Sequence, residues 1–429
     1  MSPTSDLPAL QEPLISLRFN RKRWRLMLAT LGPGIITASA DNDAGGIATY
    51  ATAGATYGYD LLWALLVITV VLAVVQEMVA RMGAVTGRGL SALIRERFGV
   101  RWTTFAMGVL LLANVATCIA EFAGVAAAGE VFGIPRWLSV PLAAVGVWLL
   151  VVKGNYRVVE KVFLGLALVL FTYVVSGILV HPPWGQVLRA AVTPTIHWDH
   201  DFLLVLVAYI GTTITPWMQF FLQSSVVDKG ITVKSYGYAK LDVFVGAFLT
   251  DFVAFFIVVA TAATLHARHI HIDSAADAAL ALAPIAGPYA QSLFAVGLLG
   301  ASLLAASVLP LSTTYAICEA FGWETGVNKG FDEAPAFLGI YTAMIVLGAS
   351  VVLIPGLPLF AVLLASQDIN GVLLPVILVF MLLLVNDRRI MGVHVNGRGF
   401  NLVAWGTTIV LSVLSVLLLV GSIWELLAP

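Results

Sequence analysis

Charge is what this chain has least of. Only 11% of its 429 residues are Asp, Glu, Lys or Arg and 60% are hydrophobic, where an ordinary soluble domain carries roughly 25% charged residues. So small a polar supply cannot coat a water-exposed surface of this size, whereas lipid requires no such coat. An integral membrane protein is expected. Cysteine is nearly missing, and Cys118 and Cys318 both fall in apolar runs, which leaves no support for a disulfide scaffold or a thiolate cluster. An excess of basic charge is also lacking: 23 Lys plus Arg face 24 Asp plus Glu, so a nucleic-acid surface is excluded. The apolar runs hold no zinc-ligand motif, no nucleophile with a paired base and no glycine-rich phosphate loop, which argues against an enzyme and against a bound cofactor. No long polar interval divides the chain, so one integral domain is expected.

What is present is a series of apolar runs, at about 26 to 54, 60 to 80, 103 to 131, 137 to 153, 159 to 180, 202 to 226, 241 to 265, 288 to 318, 335 to 355, 358 to 385 and 400 to 426. They predict an all-α protein with eleven transmembrane helices, the fourth barely long enough for ~30 Å of hydrocarbon. Residues 1–25 lack a cleavage pattern after a short apolar core and read as a cytoplasmic segment. Helices 1 to 10 then occupy 26–385, and an inner loop with helix 11 occupies 386–429. Basic residues collect in cytoplasmic loops. With the N-terminus inside, twenty of the 23 Lys and Arg fall in inner segments and only Arg136, Arg189 and Arg268 outside. An odd number of crossings puts the C-terminus outside.

Two runs are interrupted. In the first, Asp41-Asn42-Asp43-Ala44-Gly45-Gly46 breaks an otherwise buried helix, although an ionisable residue near the bilayer centre costs at least about 2.5 kcal/mol. In the sixth, Gly211-Thr212-Thr213-Ile214-Thr215-Pro216-Trp217 contains a proline that removes a donor and disfavours helix at Thr215. The first and sixth runs correspond if 26–180 and 202–385 are two repeats. Paired breaks of that kind point to a transport site between inverted repeats. Unwound carbonyls beside a carboxylate make an oxygen cage for a hard cation. The plainer reading is that Gly and Pro permit close packing and the acids face an inert water pocket.

These residues resemble a known family. Gly32-Pro33-Gly34 through Asp43-Ala44-Gly45-Gly46 is similar to the first helix of the Nramp divalent-metal transporters, with its Asp-Pro-Gly-Asn motif. Gln76 through Val85-Thr86-Gly87-Arg88, Ile119-Ala120-Glu121, Phe294 through Glu319, and Ser366-Gln367 with Leu374-Pro375 resemble its second, third, eighth and tenth helices. The resemblance implies a LeuT-like fold of 5+5 inverted repeats with helices 1 and 6 broken. It also implies a bacterial inner (plasma) membrane protein whose partners are divalent metal ions and the lipid bilayer.

The departures bear on the substrate. Only Asp43 persists of the family's metal ligands: Gly46 stands at the Asn position, Thr215 at the Met position and Trp217 at the His position. Losing the thioether removes selection for soft ions. Losing the Asn side chain is expected to widen the cavity so that the ion keeps water, which suits Mg2+. Cys118 replaces the third-helix Asp, and all seven histidines lie outside the runs, which disfavours tight proton symport. The pattern is similar to the Nramp-related magnesium transporter branch, which implies import of Mg2+ and Mn2+ by alternating access without tight proton coupling. A proton-coupled Mn2+ or Fe2+ importer and a sodium-coupled organic-solute symporter are the alternatives.

The ionisable residues within the runs, away from the cytoplasmic ends, are all acidic: Asp41, Asp43, Glu121, Asp251 and Asp368. A one-sign set predicts a cation path. Asp43 is expected to bind the ion, with helix capping as its other use. Asp41, Gly46, Thr212, Thr215, Asp368 and Asn370 are further metal-site candidates. Gln76, Glu121, Trp217 and Asp251 are candidates for the pathway or its coupling.

Overall fold

The computed structural model describes residues 33–153, 165, 168–326 and 329–427. The basic N-terminal segment, Arg157, Lys161 and part of the fifth expected run lie outside the described residues. All regular structure in the described residues is helical, without a strand. Eight helical segments among them are long and apolar enough to cross a membrane, and Arg136–Val152 is shorter, as its sequence implies.

The helices that matter here are α1 (Pro33–Asp41), α2 (Ala44–Tyr57), α3 (Leu62–Thr86), α4 (Leu90–Val131), α5 (Arg136–Val152), α6 (Thr172–Leu179) and α7 (Trp184–Val192). They continue as α8 (His200–Thr213), α9 (Pro216–Asp228), α10 (Tyr236–Thr264), α11 (Ala290–Phe321), α12 (Pro335–Val352), α13 (Leu359–Val385) and α14 (Arg398–Leu427). The first and sixth runs are thus each two helices. Local chemistry sets these stops. Asp43 caps α2 through its side chain. Pro216 occupies the first position of α9, where its missing N–H costs nothing. Within α4, Gly99 is not helical, with φ 76° and ψ 179°, and divides a short helix before it from the long apolar helix after it.

Lipid-facing side chains such as Trp102, Leu112, Trp137, Val145, Leu402 and Val410 are exposed, as expected of a surface solvated by hydrocarbon. The interior uses small residues to bring helices close, the usual device where lipid supplies no hydrophobic driving force. α1 meets α10 at Gly34 and Gly246, where a Cβ on Gly246 would lie 2.8 Å from Gly34 O. α8 meets α13 at Gly211 and Gly371, where a Cβ on Gly211 would lie 2.5 Å from Gly371 Cα and 2.6 Å from Gln367 O. Those obstacles are backbone and cannot swing aside. Gly211→Ala is therefore expected to destabilise the protein by about 1–3 kcal/mol through overpacking. Gly108→Ala, whose Cβ meets nothing within 4 Å, is expected to leave thermal unfolding in detergent unchanged.

At the end of α3 away from the first break, Arg81 pairs with Glu77 at 3.2 Å and donates to His394 O at 2.7 Å, tying α3 to the segment before α14. Arg97 reaches Asp387 at 2.6 Å. The Arg389 backbone N–H, helped by Arg97, holds the Asp387 carboxyl below its ordinary range.

Candidate metal site at two helix breaks

Asn42 and Asp43 separate α1 from α2, and Ile214 and Thr215 separate α8 from α9. Asp43 is extended, with φ −78° and ψ −179°, and its Oδ1 accepts from Gly46 N at 2.6 Å. Capping and ion binding are compatible, because one carboxylate offers several lone pairs. The Asp43 and Glu121 carboxyls adjoin, and Glu121 Oε2 faces Ala44 N at 3.4 Å. Two adjoining carboxyls do not both stay ionised unless a cation lies beside them; otherwise they share a proton.

The second break supplies hydroxyls. Thr213 is a structural threonine, donating to Tyr209 O at 2.8 Å and meeting Tyr50 Oη at 2.8 Å. Thr212 and Thr215 behave differently: both are fully buried and neither hydroxyl has a hydrogen-bond partner. Thr212 comes to the first break. A Cβ built on Gly46 would lie 3.0 Å from Thr212 Oγ1, 3.2 Å from Asp41 O and 3.3 Å from Asp43 Oδ1. Three oxygens from both breaks therefore surround one small volume. The expected widening at Gly46 is not what this conformation has: Thr212 Oγ1 and the Asp41 carbonyl oxygen lie 3.0 and 3.2 Å from where a Cβ would stand.

α13 adds a residue that the reading of the acids passed over. Gln367 lies against Gly45, and a Cβ on that glycine would stand 2.8 Å from Gln367 Cδ. Asn370, one turn on, donates to Gln367 Oε1 at 3.0 Å and Thr117 Oγ1 at 2.9 Å. Asp368 is half-buried and a ~100° helical step away from Gln367. No described contact joins Asp368 to either break, so Asn370 belongs to this group and Asp368 stands apart from it. The signal was the Ser366-Gln367 stretch itself, where a neutral amide carries the contact and the neighbouring charge does not.

The remaining candidates surround the breaks. Asp41 ends α1, and its main-chain oxygen is one of the three above. Asp251 lies on α10 beside Thr250, which accepts from Asn42 Nδ2 at 3.3 Å and donates to Ala38 O. Gln76 is fully buried on α3 with neither amide atom paired. Trp217 opens α9, fully buried, with its indole N–H unpaired and its carbonyl accepting from Ser312 Oγ at 3.0 Å. Cys118, which stands where the resemblance implies a third-helix Asp, donates its thiol hydrogen to Met344 O of α12 at 3.5 Å. His200 opens α8 and His266 bonds Ala55 O at 3.0 Å. Among the described residues no group of three or more His, Cys, Asp or Glu is placed to hold a metal. What the two breaks bring together is one carboxylate with hydroxyl, amide and main-chain oxygens.

Exchanging Thr212 for Val keeps the volume and removes the hydroxyl. Since outer partners of a metal are worth about 10–100-fold in affinity, Thr212→Val is expected to weaken Mn2+ binding by about tenfold, read by isothermal titration. Thr213→Val is expected to lower thermal stability instead.

The chain is similar to known proteins over most of its length. The Nramp family model, described as natural resistance-associated macrophage protein-like, matches residues 34–421. A divalent metal cation transporter MntH of Deinococcus radiodurans is 30% identical over 417 residues, covering 94% of this chain and 91% of the relative. One of Ralstonia nicotianae is 30% identical over 434 residues, covering 94% and 92%. Among solved structures, the Eremococcus coleocola manganese transporter, in complex with an aromatic bis-isothiourea compound, superposes with a TM-score of 0.77 at 22% identity, over 93% of this chain and 87% of that one. MhsT in complex with L-phenylalanine gives 0.56 at 15% identity, over 93% and 98%. These structural likenesses concern the fold.

Proposed function

The chain belongs to the Nramp family of divalent metal cation transporters, and from that premise we propose that it imports Mg2+, and Mn2+ beside it, without tight proton coupling. The observation that carries this reading is the convergence of Asp41 O, Asp43 Oδ1 and Thr212 Oγ1 beside Gly46. The donor set is all oxygen. Thr215 offers a hydroxyl where the resemblance implies a thioether, so nothing at the breaks favours a soft ion over Mg2+. Mg2+ sheds water reluctantly and takes one or two carboxylates with several aqua ligands. The unpaired oxygens of Thr212, Thr215 and Asn370 are acceptors for those waters.

Transport proceeds by alternating access, with the ion held at Asp43 while the half-helices rearrange around it. A potential of ~100 mV contributes about 4.6 kcal/mol to a doubly charged ion entering the cell, so no second ion is needed to drive uptake. Cys118, packed against Met344, has no part in proton movement. The orientation follows the basic residues, with the N-terminus cytoplasmic and the C-terminus outside.

A second reading rests on Glu121, whose contact with Asp43 would let metal entry displace a shared proton; this is the proton-coupled Mn2+ importer. Purified protein in liposomes loaded with a Mg2+ indicator and a pH indicator separates the two. The expected result is Mg2+ influx under an inside-negative potential with constant internal pH. Acidification in step with the metal, or Mn2+ entry without Mg2+ entry, would overturn the proposal.

A further inference from the structure

Asp41 is badly placed for a residue with no positive charge nearby. It closes α1, and a helix C-terminus carries partial negative charge on its free carbonyls. A carboxylate is disfavoured there by the same field that attracts a cation. Asp41 is nevertheless only 1% exposed, and neither of its carboxylate oxygens accepts a hydrogen bond.

A second acid lies in electrostatic range. Asp251 of α10 is 3% exposed and interacts with Asp41 through space. Thr250, next to Asp251 on α10, accepts from Asn42 Nδ2 at 3.3 Å and spends its hydrogen on Ala38 O, which sets this turn of α10 against the end of α1. The hydroxyl beside Asp251, that of Thr69, spends its own on Leu65 O at 2.8 Å. Asp251 therefore gains no donor, and both its oxygens are unpaired. Two further buried polar groups lie here without partners. Asn42 is 8% exposed, and its Oδ1 is free while its nitrogen is held at Thr250. The fully buried Tyr209 hydroxyl, in electrostatic range of Asp251, is also unpaired. Among the described residues no Lys, Arg or His pairs with either acid.

We propose that Asp41 and Asp251, with Asn42 Oδ1 and the carbonyl end of α1, hold a second divalent cation beside the Asp43 position. The inference rests on the reading that the breaks carry divalent ions. Two carboxylates balance a doubly charged ion, and two carboxylates with an amide oxygen and main-chain carbonyls fit Mg2+ or Mn2+ with part of its water shell. Asp41 links the two positions, its carbonyl facing one and its carboxylate the other. An ion arriving at the second position then repels the ion at Asp43 and speeds its release, as adjacent sites do in channels.

Anomalous scattering from Mn2+-soaked crystals tests this in Asp43→Ala, where the first position is removed. The expected result is a manganese peak against Asp41 and Asp251 in Asp43→Ala, gone in Asp43→Ala with Asp251→Asn. Asn keeps the volume of Asp, and a thermal melt matching that of Asp43→Ala verifies folding of the double variant. No peak at Asp41 and Asp251 in folded Asp43→Ala, with one at Asp43 in the unaltered protein, overturns the second position and leaves the first intact. A peak that stays at position 43 in Asp43→Ala would instead overturn the Asp43 assignment.

Discussion

Asp43→Ala is expected to abolish Mg2+ and Mn2+ uptake into proteoliposomes and to weaken binding by more than ~100-fold, beyond the 10–100-fold cost of losing an outer partner of a metal. Two roles end together. The cap on Gly46 N at 2.6 Å goes, which costs about 1 kcal/mol of helix stability. The site also loses its directly facing carboxylate, leaving Asp41 O and Thr212 Oγ1 as neutral oxygens around the same volume. Asp43→Asn separates the two effects. An Asn side chain caps a helix about as well as Asp, so its thermal unfolding is expected to match the unaltered protein while uptake stays lost. Uptake retained in Asp43→Asn would mean that the charge is not what the ion reads.

Gly46→Asn combined with Thr215→Met is expected to exchange the ion preference, with Mg2+ uptake falling to background and Cd2+ binding rising by about tenfold, equivalent to ~1.4 kcal/mol. The physical reason lies in volume and softness. A Cβ at position 46 meets three oxygens at 3.0 to 3.3 Å, so it crowds the oxygens that face the ion, and Thr212 must give way. A thioether at position 215 then offers a soft donor that Mg2+ does not use. Gly46→Asn alone is expected to lower Mg2+ uptake without the gain in Cd2+. Competition of Cd2+ and Mg2+ against Mn2+ uptake reads both changes.

The helix breaks were legible because the residues that make them are unambiguous in a membrane. Asp-Asn-Asp-Ala-Gly-Gly puts two acids beside helix-weakening glycines in lipid, Pro216 disfavours helix at Thr215, and the structure ends α1 at Asp41 and starts α9 at Pro216 accordingly. The role of Thr212 was legible only as a class, since Thr212 and Thr213 look alike in sequence and only rotation about α8 sends one to Tyr50 and the other to Gly46. Gln367 was passed over in favour of Asp368 for a similar reason. Charge dominates a reading of composition, but a step of ~100° on α13 decides which side chain meets Gly45. The space at Gly46 was misjudged because a missing side chain was equated with a cavity, whereas packing brings neighbours inward. The non-helical Gly99 inside α4 is a break that apolarity alone does not reveal.

The central claim is that Asp43 holds a magnesium ion among oxygen donors. Isothermal titration of Mg2+ into the purified protein and into Asp43→Asn tests it most directly, because both proteins keep the cap and the fold. Saturable Mg2+ binding by the unaltered protein, weakened by more than ~100-fold in the variant, is the predicted result. Equal binding isotherms for the two proteins would contradict it.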